Sequence, residues 1–222
     1  MDSLLNEIRK KATVRTFKKR SILLYQGEAP RMAFALSKGV VKVYTINRAG
    51  EEQIVSFQAT PDIFPAPWIF SKASTTLYYY EALTDCEVMT LPRAELLRLI
   101  HADPVLLQST LDYFVTNYTG LLMRVTALEQ ARAREKIMFT LYYLLFRYGR
   151  PMRTPGTYAV ELGLTHSVIA SLVGLTRETT TTELSKLKRQ KVLDYNLHEY
   201  VVDKGKLERL LGEDAFHDID IR

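Results

Sequence analysis

The stretch LTHSVIASLVGLTRETTTTELSKLKRQ, Leu164 to Gln190, sets four consecutive threonines, Thr179 to Thr182, where the apolar spacing asks for a helix. β-branched residues lose χ1 freedom against the preceding turn and are mediocre helix formers, so their placement needs a reason. Thr165 fits the N-cap of a helix over His166 to Val173, with Ile169, Leu172 and Val173 on its apolar side. Gly174 then supplies the left-handed residue that a helix C-terminus often needs. Thr176 caps a second helix, Arg177 to Gln190, whose buried face is expected from Thr180, Leu184, Leu187 and the stem of Lys191. Two helices joined by a tight turn at Gly174 and Leu175, the second opening on polar residues, have the order of a helix-turn-helix. In that motif the first turns of the second helix enter the major groove of DNA.

The threonines then have a use. They are short enough to let a helix approach a duplex, their hydroxyls can bond phosphate oxygens, and their methyl groups can touch thymine methyls. Arg177 and Glu178 lie at the same end, where a guanidinium can read guanine and a carboxylate can accept from cytosine. Consecutive helical residues diverge in direction, so about half of the threonines face the groove and Thr180 packs inward. The candidate DNA-contacting set is Thr165, His166, Thr176, Arg177, Glu178, Thr179, Thr181, Thr182, Ser185, Lys186 and Lys188. The alternative is a plain helical hairpin with incidental threonines.

Working outward, YVV at Tyr200 to Val202 reads as a short strand after a polar turn, and Lys204 to Leu211 as a closing helix, which makes the C-terminal section a winged helix-turn-helix. Before it, Ala131 to Tyr148 reads as a helix with Ile137, Leu141, Leu144 and Leu145 inward, ended by RYGRPMRTPG. Still earlier, Leu107, Leu111, Phe114, Tyr118, Leu121, Val125 and Leu128 follow one another at spacings of 4, 3, 4, 3, 4 and 3 residues. Such a heptad seam, on a helix of about 25 residues and roughly 37 Å, would project beyond a small domain, and pairing with a second copy would cover it. Packing on its own domain is the alternative, and Gly120 inside the helix is a departure from an ideal coiled coil.

From Ala12 to Leu91 the chain reads as short β segments: TVRTF, SILLYQ, MAFALSKG, VVKVYTI, EQIVSF, LYYYEAL and CEVMTL. Turn residues punctuate them at Gly27, Gly39, Asn47 to Gly50 and Pro61 to Pro67. This predicts an antiparallel sandwich or barrel. The clearest hairpin is VVKVYTINRAGEEQIVSF, with Gly50 free to take a positive φ. PRAELLRLI then switches to a helical period, with Leu96, Leu97 and Ile100 on one face and Pro92 in the first turn.

With 222 residues, 47% of them hydrophobic, the chain can build a real core. A single cysteine, Cys86, excludes an internal disulfide and fits a reducing compartment, so cytoplasm is expected and no membrane span or secretion signal is read. A net charge of +5 and a pI near 9.2 point only weakly to a polyanion. Distribution says more. Acidic residues outnumber Lys and Arg by nine to three from Glu51 to Asp112, whereas Arg132 to Arg153 carries six cations against Glu135 alone. A second basic cluster, Arg9 to Arg20, is equally well read as a solvated face.

Taken together, SILLYQGEAPRMAFALSKGVVKVYTINRAGEEQIVSF and IASLVGLTRETTTTELSKLKRQKVL resemble the cyclic-AMP receptor protein/FNR superfamily of bacterial transcription regulators. The first is similar to that family's strand, Q-G-E turn, strand, K-G turn and G-x-E hairpin; the second to its helix-turn-helix signature. The resemblance implies an α+β chain: a cyclic-nucleotide-binding-like jelly-roll β-barrel over 1–103, a dimerisation helix and hinge over 104–130, and a winged helix-turn-helix over 131–222. It implies a homodimer on a palindromic operator with half-sites about 34 Å apart, and domain rotation about a hinge near Thr126 to Gln130. Arg177 and Glu178 fall on the family's base-reading Arg and Glu, and its third reader, usually Arg, falls on Thr182.

Cyclic-nucleotide-binding members hold the cyclic phosphate with Gly-Glu and Arg-Ser or Arg-Thr. Here Pro61-Asp62 and Thr76-Leu77 occupy those positions, and no arginine lies between Arg48 and Arg93. Without the bidentate guanidinium, cyclic AMP and cyclic GMP are not expected to bind. Cys86 alone cannot hold an iron–sulfur cluster, and His101, His166, His198 and His217 all fall outside the predicted strands, so no cofactor, haem or metal is expected. The aromatic residues Phe64, Trp68, Phe70, Tyr78, Tyr79 and Tyr80 either line a pocket for an unidentified effector or fill the barrel, with filling preferred. No phosphate-binding loop, metal-ligand spacing or nucleophile motif is present, so no enzyme is expected. The expected function is cyclic-AMP-independent transcription regulation, with double-stranded DNA, a second copy and RNA polymerase as partners. The alternative is a small-molecule-binding protein whose degenerate DNA-binding domain acts through protein partners.

Overall fold

The alternating segments form two four-stranded antiparallel sheets in the computed structural model, which describes residues 1–196 and 199–212. The first sheet has the order β1 (Thr13–Phe17), β8 (Cys86–Leu91), β3 (Ala33–Lys38), β6 (Ile63–Phe64). The second has the order β2 (Ile22–Leu24), β7 (Tyr79–Ala82), β4 (Val40–Ile46), β5 (Glu52–Ala59). Phe34, Leu36, Phe64, Cys86 and Val88 of the first sheet share an apolar interior with Leu24, Val41, Val43, Tyr80 and Ala82 of the second. The intervening residues Ala33, Ala35, Met89 and Leu91 serve a second core on the outer face of the first sheet. The period-two alternation therefore puts β3 and β8 between two apolar layers. The expected β4–β5 hairpin forms, with Val40 opposite Ala59 and Ile46 opposite Glu52 and a register shift between Val43 and Tyr44, and Gly50 takes φ +81°. Asn47 Oδ1 closes its turn by accepting from the amides of Ala49 and Glu51 at 2.9 and 3.0 Å.

The second core is capped by helices, two of which the sequence reading missed. Asp2–Arg9 is a helix, α1, that buries Leu4, Leu5 and Ile8. The basic residues after it are partly neutralised locally: Lys10 with Glu7 at 2.6 Å, Lys11 with Glu95 at 2.7 Å and Lys18 with Asp85 at 3.0 Å. A short helix α2 (Ala66–Ile69) and strand β6 fall in the segment read only as turns. Helix α3 spans Arg93–Ala102 with Pro92 as its N-cap rather than inside the first turn; Leu96, Leu99 and Ile100 are buried, and Leu97 is only partly so.

Helix α4 runs from Pro104 to Glu129, and the two compact units of the chain, Met1–Val115 and Thr116 onward, divide inside it. Helix α5 (Ala133–Tyr148) starts two residues later than expected and buries Ile137, Leu141, Leu144 and Leu145. The segment RYGRPMRTPG does more than end it: Gly149–Pro151 forms β9 and pairs with β10 (Thr157–Val160). With β11 (Leu193–Tyr195) and β12 (Tyr200–Asp203) they make a sheet of order β11-β12-β10-β9, a larger wing than the expected hairpin. Helices α6 (His166–Val173), α7 (Arg177–Arg189) and α8 (Lys204–Leu211) complete the unit, and Asp203 Oδ1 caps α8 by accepting from the Lys206 amide at 2.9 Å. Among the described residues no helix is long and apolar enough to cross a membrane.

Candidate nucleic-acid interface

The helix-turn-helix is fastened by the residues that the sequence singled out. Thr165 Oγ1 accepts from the Val168 amide and Thr176 Oγ1 from the Thr179 amide, both at 3.2 Å, so both expected N-caps are made. Gly174 takes φ +67°, ψ +39°, which lets the chain turn at once into α7. Thr180 is fully buried beside Leu184 and Leu187, and its hydroxyl donates to the Thr176 carbonyl at 2.9 Å. Lys191 does not join that face: it stands exposed at φ +56°, beyond the helix end.

With one side of α7 buried, the other carries Arg177, Glu178, Thr182, Lys186 and Lys188 exposed, and Thr179, Thr181 and Ser185 partly so. Thr165 and Thr176 are exposed at the starts of α6 and α7. The four threonines divide the work. Thr179 accepts from the Thr176 hydroxyl at 3.0 Å, Thr180 packs inward, Thr181 pairs through Oγ1 with His166 Nδ1 at 2.9 Å, and Thr182 faces out. The lysines are not bare cations. Lys186 pairs with Glu183 at 2.5 Å; Lys188 pairs with Asp194 at 2.6 Å and stands 4.6 Å from the centre of the Tyr195 ring. That bond holds the Asp194 carboxyl below its usual range and raises Lys188.

The wing contributes residues that sequence reading did not name. Tyr195 stacks on Tyr200 at 5.2 Å and meets the edge of His166 at 4.9 Å, joining the wing to the start of α6. Tyr195, Asn196 and Tyr200 line a groove of about 540 Å³ with Thr165, His166 and Arg177. Burial first, and the Arg177 charge second, lower the pKa of His166. The aromatic pair bracketing the polar turn, Tyr195 and Tyr200, was the available signal.

The seam residues on α4 do not all behave alike. Leu107, Leu111, Tyr118, Leu121, Val125 and Leu128 are each between 38% and 62% exposed. Phe114 instead turns towards its own unit, its ring edge-on to Phe70 at 5.1 Å, while Val115 and Leu122 widen the exposed stripe. Leu107, Leu111 and Phe114 border an apolar groove of about 440 Å³ with Pro67, Phe70 and Ile100.

Thr76 and Asp62, which the resemblance was expected to set in place of cyclic-phosphate ligands, bond to the chain's own backbone. The Thr76 hydroxyl donates to the Tyr25 carbonyl, and the Thr76 amide and carbonyl bond Glu28 and Gly27 at 2.8 Å, so Thr76 fastens the Gln26-Gly27-Glu28 turn. Asp62 is buried and accepts from the Ala59 amide at 2.9 Å. The aromatic residues do not form one cluster. Phe64 stacks between Phe34 and Tyr80 at 5.4 and 5.3 Å in the sandwich interior, with Tyr78 beside it. Tyr79 stacks on Tyr44 on the opposite face at 5.1 Å, and Trp68 lies 5.5 Å from the Arg93 guanidinium. Strand alternation and α2 separate neighbours that are adjacent in sequence. His101 is exposed, and His198 and His217 lie outside the described residues.

Residues 14–103 match the cyclic nucleotide-binding domain family, and residues 135–210 the Crp-like helix-turn-helix domain. The HTH-type transcriptional regulator ArcR of Staphylococcus haemolyticus is 30% identical over 86% of this chain and 82% of its own. A probable transcriptional activator of Rhizobium leguminosarum bv. viciae is 26% identical over 94% and 85%. Among solved structures, FixK2 from Bradyrhizobium japonicum superposes with a TM-score of 0.73 at 20% identity, covering 92% of this chain and 99% of that one. With a cyclic nucleotide-binding sandwich, a long helix and a Crp-like helix-turn-helix in that order, the chain belongs to the CRP/FNR family of DNA-binding transcription regulators, and it is not an enzyme.

Proposed function

We propose that the protein acts as a homodimer, joined along the exposed face of α4, and reads a palindromic operator with the first turns of α7 from each copy. The observation that carries this reading is the division of α7: Thr180, Leu184 and Leu187 are buried, and Arg177, Glu178 and Thr182 stand out from the same turns. A guanidinium and a carboxylate at the first two positions of a helix can address guanine and cytosine edges while the capped N-terminus faces phosphate. The exposed stripe on α4 supports the dimer, since an uncovered apolar row of this length is unusual on a monomer. On this reading 104–130 works as the dimerisation and hinge segment between a sensor-like domain, 1–103, and a DNA-binding domain, 131–222.

The regulator is further read as independent of cyclic AMP. No arginine lies between Arg48 and Arg93, the Thr76 hydroxyl is committed to a backbone carbonyl, and the Phe34–Phe64–Tyr80 stack occupies the interior. RNA polymerase is the expected protein partner and the cytoplasm the expected compartment. The test is recovery and sequencing of chromosomal fragments bound by the full-length protein, followed by mobility shifts with R177A and E178A. Enrichment of an inverted repeat, lost in the variants and unaffected by cyclic AMP, is the expected result. A tenfold gain on adding cyclic AMP would overturn the ligand-independent part.

A further inference from the structure

A helical threonine ordinarily returns its hydroxyl to the carbonyl four residues back, as Thr180 does to Thr176 at 2.9 Å. Thr181 instead pairs with His166 Nδ1, on the neighbouring helix, at 2.9 Å. His166 is itself fixed: it opens α6 directly after the Thr165 cap, and its ring rests edge-on against Tyr195, which stacks on Tyr200. The imidazole thus bridges the start of α6, the second turn of α7 and the wing. A side chain pinned on two sides takes its hydrogen-bond partner into a defined rotamer.

We propose that His166 is a positioning residue for Thr181: by holding Oγ1 towards α6, it makes Thr181 present its methyl group, not its hydroxyl, to a base edge in the major groove. Thr181 is only partly buried, so a methyl turned outward is within reach of a duplex lying on the Arg177 face. A methyl group selects the thymine C5-methyl and offers nothing to the amino and carbonyl groups of the other bases. Thr181 then reads one thymine per half-site beside the positions addressed by Arg177 and Glu178. This inference rests on the operator reading proposed above.

The test is selection from a random duplex library with the full-length wild type, H166F, H166N, T181V and T181S, each checked for native circular dichroism. Wild type is expected to prefer thymine about tenfold at one symmetric pair of positions, the order of a single well-read base pair. T181V keeps the methyl and the preference, and T181S loses it. H166F keeps a ring against Tyr195 but cannot bond Thr181, so it loosens the same positions and no others. H166N, whose amide can reach the place of Nδ1, restores them. A merely structural histidine would weaken binding evenly. An unchanged base profile in H166F, or a thymine preference surviving in T181S, overturns the assignment alone. A wild type that enriches no sequence overturns it together with the operator reading.

Discussion

The side chain of Arg147 on α5 crosses α4 at Gly120, where a Cβ would stand 2.5 Å from Arg147 Cδ and 2.8 Å from its Cγ. The glycine that spoils an ideal heptad helix is therefore a groove for a neighbouring side chain. Alanine there gains helix propensity of about 1 kcal/mol but forces Arg147 off its path. G120A is expected to destabilise the protein by about 1 kcal/mol in the wild-type background and to stabilise it in an R147A background. Denaturant unfolding of the four proteins measures the cycle. The same sign of effect in both backgrounds would mean that the crossing is unimportant.

The stripe on α4 gives a second test. Each leucine buried from both copies contributes roughly 2 kcal/mol, and a glutamate in its place puts two like charges into the seam. L121E is expected to be monomeric by sedimentation at micromolar concentration and to lose at least about a hundredfold in operator affinity, since each half-site then binds alone. L97E, on the partly buried face of α3, is no control for this; S109A, off the seam on α4, is. A dimeric L121E would place the subunit contact elsewhere.

How much was legible differs by region. Helices α6 and α7, with both threonine caps and Gly174, could be read almost to the residue because caps and a left-handed turn are local chemistry. The two-sheet arrangement followed from alternation and turn residues for seven of its strands; the two-residue β6 carries too little pattern to register. Helix α1 has the spacing Leu4, Leu5, Ile8, but a single short apolar face beside a basic run resembles a solvated tail until the core that it covers is known. Strands β9 and β10 are only three and four residues long, and β10 is held in its sheet by β12, distant in sequence. Lys42 shows the same limit: it sits at an alternating polar position, yet it is buried between Glu52 at 2.5 Å and Glu81 at 3.3 Å, over the Tyr44 ring. Of the site, the exposed residues of α7 were readable by helical period. The wing tyrosines and the His166–Thr181 bond were not, because they depend on how three elements meet.

Cys86 gives a third test. Its thiol donates to the Val40 and Thr84 carbonyls at 3.3 Å, and burial raises its pKa, so little thiolate forms at neutral pH. Native protein is expected to react with an aromatic disulfide reagent at least about a hundredfold more slowly than a free thiol, with full reaction on unfolding. Rapid stoichiometric modification of the native state would reopen a redox role for this residue.

His166 predicts a pH dependence of stability with a definite sign. Its folded pKa lies below the ordinary value, chiefly by burial and then by Arg177. The folded state therefore binds fewer protons than the unfolded state, and stability falls as pH drops below the unfolded value of about 6.5, levelling once the folded pKa is passed. Among the described residues, the groups around the ring are Ser167 of α6, Arg177 and Thr181 of α7, and Tyr195, Asn196 and Tyr200 of the wing; none of these is a carboxylate that would reverse the sign. The loss of thermal midpoint between about pH 7.5 and 5.5 is expected to be smaller in H166N than in wild type. Parallel curves would mean that the imidazole is not depressed.

The Lys188–Asp194 pair at 2.6 Å makes the last prediction, because it sets a carboxylate beside the proposed DNA face. Exposed ion pairs are individually weak, so phosphate can compete with Asp194 for the ammonium, but the carboxylate stays in the field of the duplex. D194N removes that repulsion and leaves Lys188 free for a phosphate. Operator affinity is expected to rise severalfold at low salt, with little change in base preference, because phosphate contacts position the protein without reading sequence. K188A should lower affinity on all sequences and reduce the slope of log affinity against log salt by about 1. The double variant separates the two roles. If Lys188 reaches phosphate, D194N should help far less once the lysine is gone; an equal gain in both backgrounds would mean that Asp194 acts by repulsion alone and that Lys188 stays on the wing.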